Sequence, residues 1–220
     1  MERDYTRHRK HHTGNLHLVK DLVLRGKMEI PQMLPFIGGF PTCLLPFNRA
    51  MTTKRQDCAV HFFLDDYQFE RIWRQPEKYL PVLKRFQCSL SPDFSLFADM
   101  PLPLQIYNTY RNRLIGRWLQ TEGVQVIPTV SWSDPRSFSF CFDGIAIGET
   151  VAISTIGTRK NGYARHLWER GATAMMEQLQ PSTVLVYGQP VPFDFGSAEV
   201  RYYSNEITEK LHSYGRKRSV

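Results

Sequence analysis

Five short apolar runs, separated by stretches with helical spacing, constrain the fold of this chain more than any other feature. The runs are Ala59–Leu64 (AVHFFL), residues 87–91, Val124–Val130 (VQVIPTV), Val151–Ile156 and Thr183–Tyr187 (TVLVY). Between them lie Tyr67–Trp73 and Pro76–Phe86, a helix opened by Pro103 and closed by Gly123, and a helix over Tyr163–Gln180 that Pro181 stops. Strands that alternate with helices argue for a parallel sheet with right-handed crossovers. The expected class is therefore α/β. A mostly parallel sheet of about five strands carries crossover helices, either as an open sheet or as an incomplete barrel. A basic arm, residues 1–27 with a short amphipathic helix over Asn15–Leu24, would precede a single domain over 28–196. A C-terminal helix and basic tail, 197–220, would follow it. The Pro- and Gly-rich stretch Ile30–Phe47 reads as an irregular but packed connector. Gln189–Gly196 reads as an exit from the sheet. Phe138, Phe140 and Phe142 alternate with smaller residues and read as an extended edge.

The unit Ser91–Trp132 is the richest in chemistry. On a helical projection Leu104, Tyr107, Leu114, Ile115, Trp118 and Leu119 share one face, with Arg113 and Arg117 opposite. Asn108 and Arg111 nevertheless fall inside the apolar arc. An unpaired amide buried there costs about 2–7 kcal/mol, so partners are required. These groups lie in the first half of the helix, beside the carboxyl end of the preceding strand, where open α/β sheets and barrels bind ligands. Asp93, Asn108 and Arg111 are thus candidate catalytic residues, unless an Asp–Arg pair merely ties down a loop. Asp65 and Asp66 end the first strand as Asp93 ends the second. Neighbouring strands lie about 4.8 Å apart, so Asp66 and Asp93 form a candidate Mg²⁺ pair; capping of the next helix is the alternative for Asp65 and Asp66. Trp132 follows the third strand. Gly157–Gly162 holds Arg159 and Lys160 in a loop with the composition, but not the spacing, of a phosphate cradle. The expected rim also includes Ser131, Gly157 and Tyr187.

The blocks SPDFS, QIYNTYRNR, VIPTVSW, CFDGI, VAISTIGT and VLVYG resemble the family of domain of unknown function 4417 over roughly Phe40–Gly188. Members of that family occur in bacteria and in their phages, plasmids and integrative elements. The resemblance implies a mobile-element setting and brings no catalytic residues.

Charge points in a second direction. Residues 1–27 hold seven Lys/Arg against three Asp/Glu, and the tail adds Arg216, Lys217 and Arg218, so the net charge of +7 lies wholly in the two ends. Basic ends on a neutral body suit a nucleic acid, through counterion release, or an acidic host-protein surface; Arg7, Arg9 and Lys10 are the arm's candidate contacts. Residues 1–27 lack the apolar core of a signal peptide. No apolar run approaches the roughly 20 residues of a membrane span, and the bacterial cytoplasm is the expected location. Cys43, Cys58, Cys88 and Cys141 are widely spaced, which argues against zinc or iron–sulfur ligation and for reduced, buried thiols. His61, in mid-strand, reads as a satisfied core residue. Two readings follow: a mobile-element protein that binds nucleic acid or a host protein through its basic ends, or an enzyme acting on a nucleotide or nucleic acid at the carboxyl rim of the sheet.

Overall fold

After the third strand, each described strand lies beside the strand that precedes it in sequence. The computed structural model describes residues 13–158 and 161–204. A small antiparallel pair, β1 (Leu24–Arg25) and β2 (Ile30–Pro31), comes first. Then β3 (Leu44–Pro46), β4 (Ala59–His61), β5 (Cys88–Leu90) and β6 (Val126–Ile127) pair in parallel in that order. A second parallel set follows: β7 (Thr150–Ser154), β8 (Thr183–Tyr187) and β9 (Glu199–Tyr203). A parallel bridge between Thr129 and Ala152 joins the two sets. Pro128 explains the join. It ends β6, while its carbonyl still accepts from Ala152 N. The helices are α1 (Glu70–Arg74), α2 (Pro76–Leu83), α3 (Leu102–Thr121) and α4 (Gly162–Leu179).

The row of strands is curled. In a flat sheet β4 and β8 would stand about 19 Å apart, four steps of about 4.8 Å. Instead the His61 and Tyr187 rings have centroids 4.3 Å apart, and Phe63 stacks on Tyr187 at 5.1 Å. Leu44, Ala59, Leu90, Ile127, Ala152 and Leu185 fill the inside. Tyr203 Oη donates to Pro41 O across the gap, but β3 and β9 form no ladder with each other. The architecture is an incomplete barrel. Its amino end is closed by the connector carrying Phe36 and Phe40, which pack on the interior cluster. On the outside, α1, α2 and α3 cover the first half of the sheet, and α4 covers the second. Among the described residues no helix is long and apolar enough to cross a membrane.

The α/β class and the mostly parallel sheet are as expected; several other expectations are corrected here. Seven parallel strands stand among the described residues where about five were expected. β3 lay hidden in the Pro-rich connector, and β9 lies in the segment expected to follow the domain. Asn15–Leu24 is not an α-helix; a 3₁₀ turn at Thr13–Asn15 ends at its first residue, and an irregular stretch follows whose Val19 packs into the core. The expected final helix beyond Ser204 lies outside the described residues. The Phe138–Phe142 segment is not a strand; it holds the end of a 3₁₀ turn over Pro135–Ser139 and the turn that follows. Pro135 starts the 3₁₀ turn and the Asp134 carboxylate accepts from Arg136 N, so local capping overrides the period-two pattern. Cys43 and Cys58, expected as separate thiols, form a disulfide. The register Leu44↔Ala59 sets the residues just before them side by side, with Cα atoms 4.8 Å apart, a normal disulfide spacing. Cys88 and Cys141 are free and buried.

α3 departs most from its projected face. It ends in a Schellman turn: Val124 N donates to Leu119 O, Gly123 N donates to Gln120 O, and Gly123 takes φ +87°. Leu104 and Tyr107, expected inside, are exposed, whereas Arg113, expected outside, is fully buried. The helix is covered on two sides. The barrel lies against one side, while β2, Met33 and the 140–144 segment lie against the other.

Candidate active site at the barrel mouth

The carboxyl ends of the strands surround a cavity of about 570 Å³. β3 contributes Leu44 and Pro46, followed by Asn48 and Arg49. The β4 end supplies Phe63, Asp65 and Gln68, and the β5 end supplies Asp93, Ser95 and Phe97. Ser131 and Trp132 follow β6, Ser154 and Ile156 end β7, Tyr187 ends β8, and Trp168 reaches in from α4. Aromatic rings therefore form much of the wall, and polar groups sit among them. The volume suits a drug- or nucleotide-sized ligand, within the roughly 300–1,000 Å³ of small-molecule sites.

Asp93 is the chemical centre of this wall. Burial pushes its carboxyl up from 3.8 to about 7; the hydroxyl of Ser131, donating to Asp93 Oδ1, opposes that rise, the nearby Asp66 charge adds to it, and Arg113 opposes it. A carboxyl poised near neutrality exchanges protons readily at physiological pH. Asp66 is held in place by another contact. Its Oδ1 accepts from Ser95 Oγ at 2.7 Å and from Ser95 N at 3.2 Å, which stitches the β4 loop to the β5 loop. Asp65 precedes the 3₁₀ turn at Asp66–Gln68 without capping it through its side chain.

Asn108 and Arg111 lie behind this wall and do not line the cavity. Asn108 Nδ2 donates to Ser95 O at 2.7 Å, and Arg111 donates to Asn108 Oδ1 at 2.6 Å. Arg111 also pairs with Glu70 at 2.9 Å and lies 3.8 Å from the centre of the Phe94 ring. Both residues thus brace the loop that carries Asp93; Asn108 and the two terminal nitrogens of Arg111 find partners on α1, α3 and that loop, while Arg111 Nε is buried without one. The polar group the projection missed is Arg113. Its guanidinium donates to the carbonyls of Thr129, Cys141 and Asp143 and to Asn112 Oδ1, at 2.7–3.0 Å. Burial lowers its pKa to about 10. This one side chain fastens the strand end before Ser131 to the 140–143 segment.

Trp132 lines the mouth as expected, and a glycine sets its position. A Cβ on Gly171 of α4 would meet the indole ring at 2.1 Å, so only glycine lets the ring lie flat on the helix. Asn161 caps α4, accepting from Ala164 N at 2.7 Å. Arg159 and Lys160 lie outside the described residues, as do Arg7, Arg9 and Lys10 of the arm and Arg216, Lys217 and Arg218 of the tail. His61, expected to be satisfied, is only half so. Its Nδ1 accepts from Phe63 N at 3.2 Å, its Nε2 has no partner, and burial lowers its pKa to about 3. Burial pushes the Cys88 and Cys141 thiols up to about 12, far from a reactive thiolate. Among the described residues no group of three or more His, Cys, Asp or Glu is arranged to hold a metal. Asn48, Arg49, Gln68, Ser95, Phe97 and Trp168 were not anticipated. Reading LLP as a strand would have placed Asn48 and Arg49 at the rim.

The sequence of residues 23–204 matches the profile of Domain of unknown function (DUF4417). The Gene 1 protein of Mycobacterium phage L5 is 42% identical over 164 residues, spanning 73% of this chain and 71% of that protein. The Gene 1 protein of Mycobacterium phage D29 is 42% identical over 169 residues, spanning 73% of this chain and 60% of that protein. No solved structure matches. The match over residues 23–204 shows that the chain belongs to the DUF4417 family, and the two relatives named here are phage proteins.

Proposed function

We propose that this protein binds a nucleotide at the barrel mouth and acts on it as an enzyme, with Asp93 as the proton-transferring group. The observation that carries this reading is the Asp93–Ser131 pair at the wall of a cavity whose lining includes the rings of Phe63, Phe97, Trp132, Trp168 and Tyr187. Rings of Phe63, Trp132 and Tyr187 suit the faces of a base. Asn108 and Arg111 act at one remove, by holding the Asp93 loop. Were Mg²⁺ to bind between Asp66 and Asp93, on adjoining loops, Asp93 would serve as an ionised ligand and not as the proton-transferring group.

The test is titration of the protein with nucleoside 5′-monophosphates, with and without Mg²⁺, followed by tryptophan fluorescence. Trp132 and Trp168 line the cavity, so a ligand there should quench saturably. Ser131→Trp, which fills the mouth, should remove the effect while leaving the far-UV spectrum unchanged. Absence of saturable quenching by any of the nucleotides would overturn the reading.

A second reading concerns the two ends. The charge excess sits outside residues 28–215, which suits phosphate contacts by the termini in the bacterial cytoplasm. Labelled DNA and RNA should bind the full chain in a salt-dependent way and bind residues 28–215 more weakly. Equal retention by both, or by neither, would remove this second reading.

A further inference from the structure

We infer that the natural ligand of the mouth is a nucleotide within a single strand of nucleic acid, with the flanking bases stacked on the rim. The inference rests on the nucleotide-site reading and adds the form of the substrate.

Three observations converge on it. First, the loops around the mouth expose apolar side chains to solvent. Tyr67 after β4, Phe97 after β5, Leu104 in the first turn of α3, Ile156 after β7 and Tyr163 in the first turn of α4 are between 51% and 80% exposed. Two of them, Phe97 and Ile156, also line the cavity, from different loops. A free mononucleotide held within the cavity has no use for apolar groups outside it, whereas a strand does. Bases on either side of an inserted nucleotide need faces to stack on, and aromatic platforms supply these without regard to sequence.

Second, the wall of the cavity carries Asp65 and Asp93, with Asp66 close behind. Carboxylates repel phosphates and accept from the amino groups of bases. A strand would therefore put a base inward and keep its backbone on the rim, as enzymes that act on an extruded base do. A stacked duplex cannot do this without unpairing.

Third, the described chain ends beside the cavity wall, and the sequence that follows is basic. β9 runs parallel to β8, and its last residue, Tyr203, is in register with Tyr187 of the cavity wall. The chain leaves β9 heading toward the rim, and sixteen residues remain after Ser204, including Arg216, Lys217 and Arg218. A basic tail attached there suits the backbone of a bound strand.

The experiment uses the full chain and four labelled probes in fluorescence anisotropy: a 12-nucleotide single-stranded DNA, the matching RNA, the 12-base-pair duplex and a mononucleotide. One of the single strands should bind at least 100-fold more tightly than the mononucleotide and more tightly than the duplex. Tyr67→Ala and Tyr163→Ala, both at exposed positions outside the cavity lining that leave the core intact, should each weaken strand binding by about 5- to 150-fold, the range for loss of one stacking platform. Mononucleotide binding should stay within twofold. Replacing Arg216, Lys217 and Arg218 by Ser should reduce the slope of log K against log salt by about 2, at about 0.7 per contact on a single strand. Mononucleotide binding with no gain for either strand would overturn this inference and leave the nucleotide site standing. Failure of the mononucleotide and of both strands would overturn the two together. A duplex that binds as tightly as the single strands, or self-association that disappears in Tyr67→Ala, would assign the rim to a different partner and overturn the inference.

Discussion

Asp93→Asn should flatten part of the pH dependence of stability. The folded protein holds the Asp93 proton up to about pH 7, because burial beside Asp66 disfavours the carboxylate; the unfolded chain releases that proton near the ordinary value of 3.8. Between those values the native state binds more protons than the unfolded state, so stability falls as pH rises and the loss is complete above about 7. From pH 5 to pH 8 the change amounts to about 2.5 kcal/mol, at about 1.4 kcal/mol per pKa unit. Asn is isosteric, and its amide oxygen can accept from Ser131, so the variant keeps the contact and loses the titration. Urea unfolding of both proteins at pH 5, 6, 7 and 8 measures this directly. The other titrating groups are common to both and cancel in the difference. The wild type should lose about 2.5 kcal/mol relative to the variant across the series. Parallel curves, agreeing within about 0.5 kcal/mol, would refute the reasoning. A wild type that gains on the variant with rising pH would show that Arg113 dominates the carboxyl and not burial.

Three further outcomes follow from the packing. Arg113→Met should destabilise by roughly 3–5 kcal/mol in urea unfolding, because the carbonyls of Thr129, Cys141 and Asp143 lose a buried charged donor. Gly171→Val should cost about 1–3 kcal/mol and shift tryptophan emission to the red, as Trp132 is driven off α4 into solvent; an unchanged spectrum would count against the placement of that ring. Cys43→Ser should lower stability by about 3 kcal/mol under oxidising conditions, as expected for a cross-link between residues 15 apart. Dithiothreitol should have the same effect on the wild type and none on the variant, as read by urea midpoint.

The α/β class, the parallel pairing and both long helices were legible because their signals are local: apolar runs of strand length, Pro at the start of α3 and Gly at its end. β3 and β9 were not legible for opposite reasons. LLP is too short and too closely bounded by proline to carry a pattern, while EVRYY is a charged edge strand whose alternation is mostly exposed. Asp93 and Trp132 were placed correctly at the rim because each follows a strand end. Arg113 was misplaced because a helical projection assumes one covered face, and α3 has two. None of its polar residues lines the cavity, because the β5 loop lies between, with Ser95 O accepting from Asn108, a long-range fact with no local signature.

The order of the strands also bears on how the protein is made. Each stave of the barrel is laid against the one synthesised just before it, so the ribosome can deliver the wall progressively, with no earlier strand waiting for a distant mate. The exception is the lining. His61 and Phe63 emerge early, yet their ring partner, Tyr187, emerges more than a hundred residues later. A nascent chain halted before Thr183 would present those two rings uncovered, and the last strands to appear are the ones that seal the vessel.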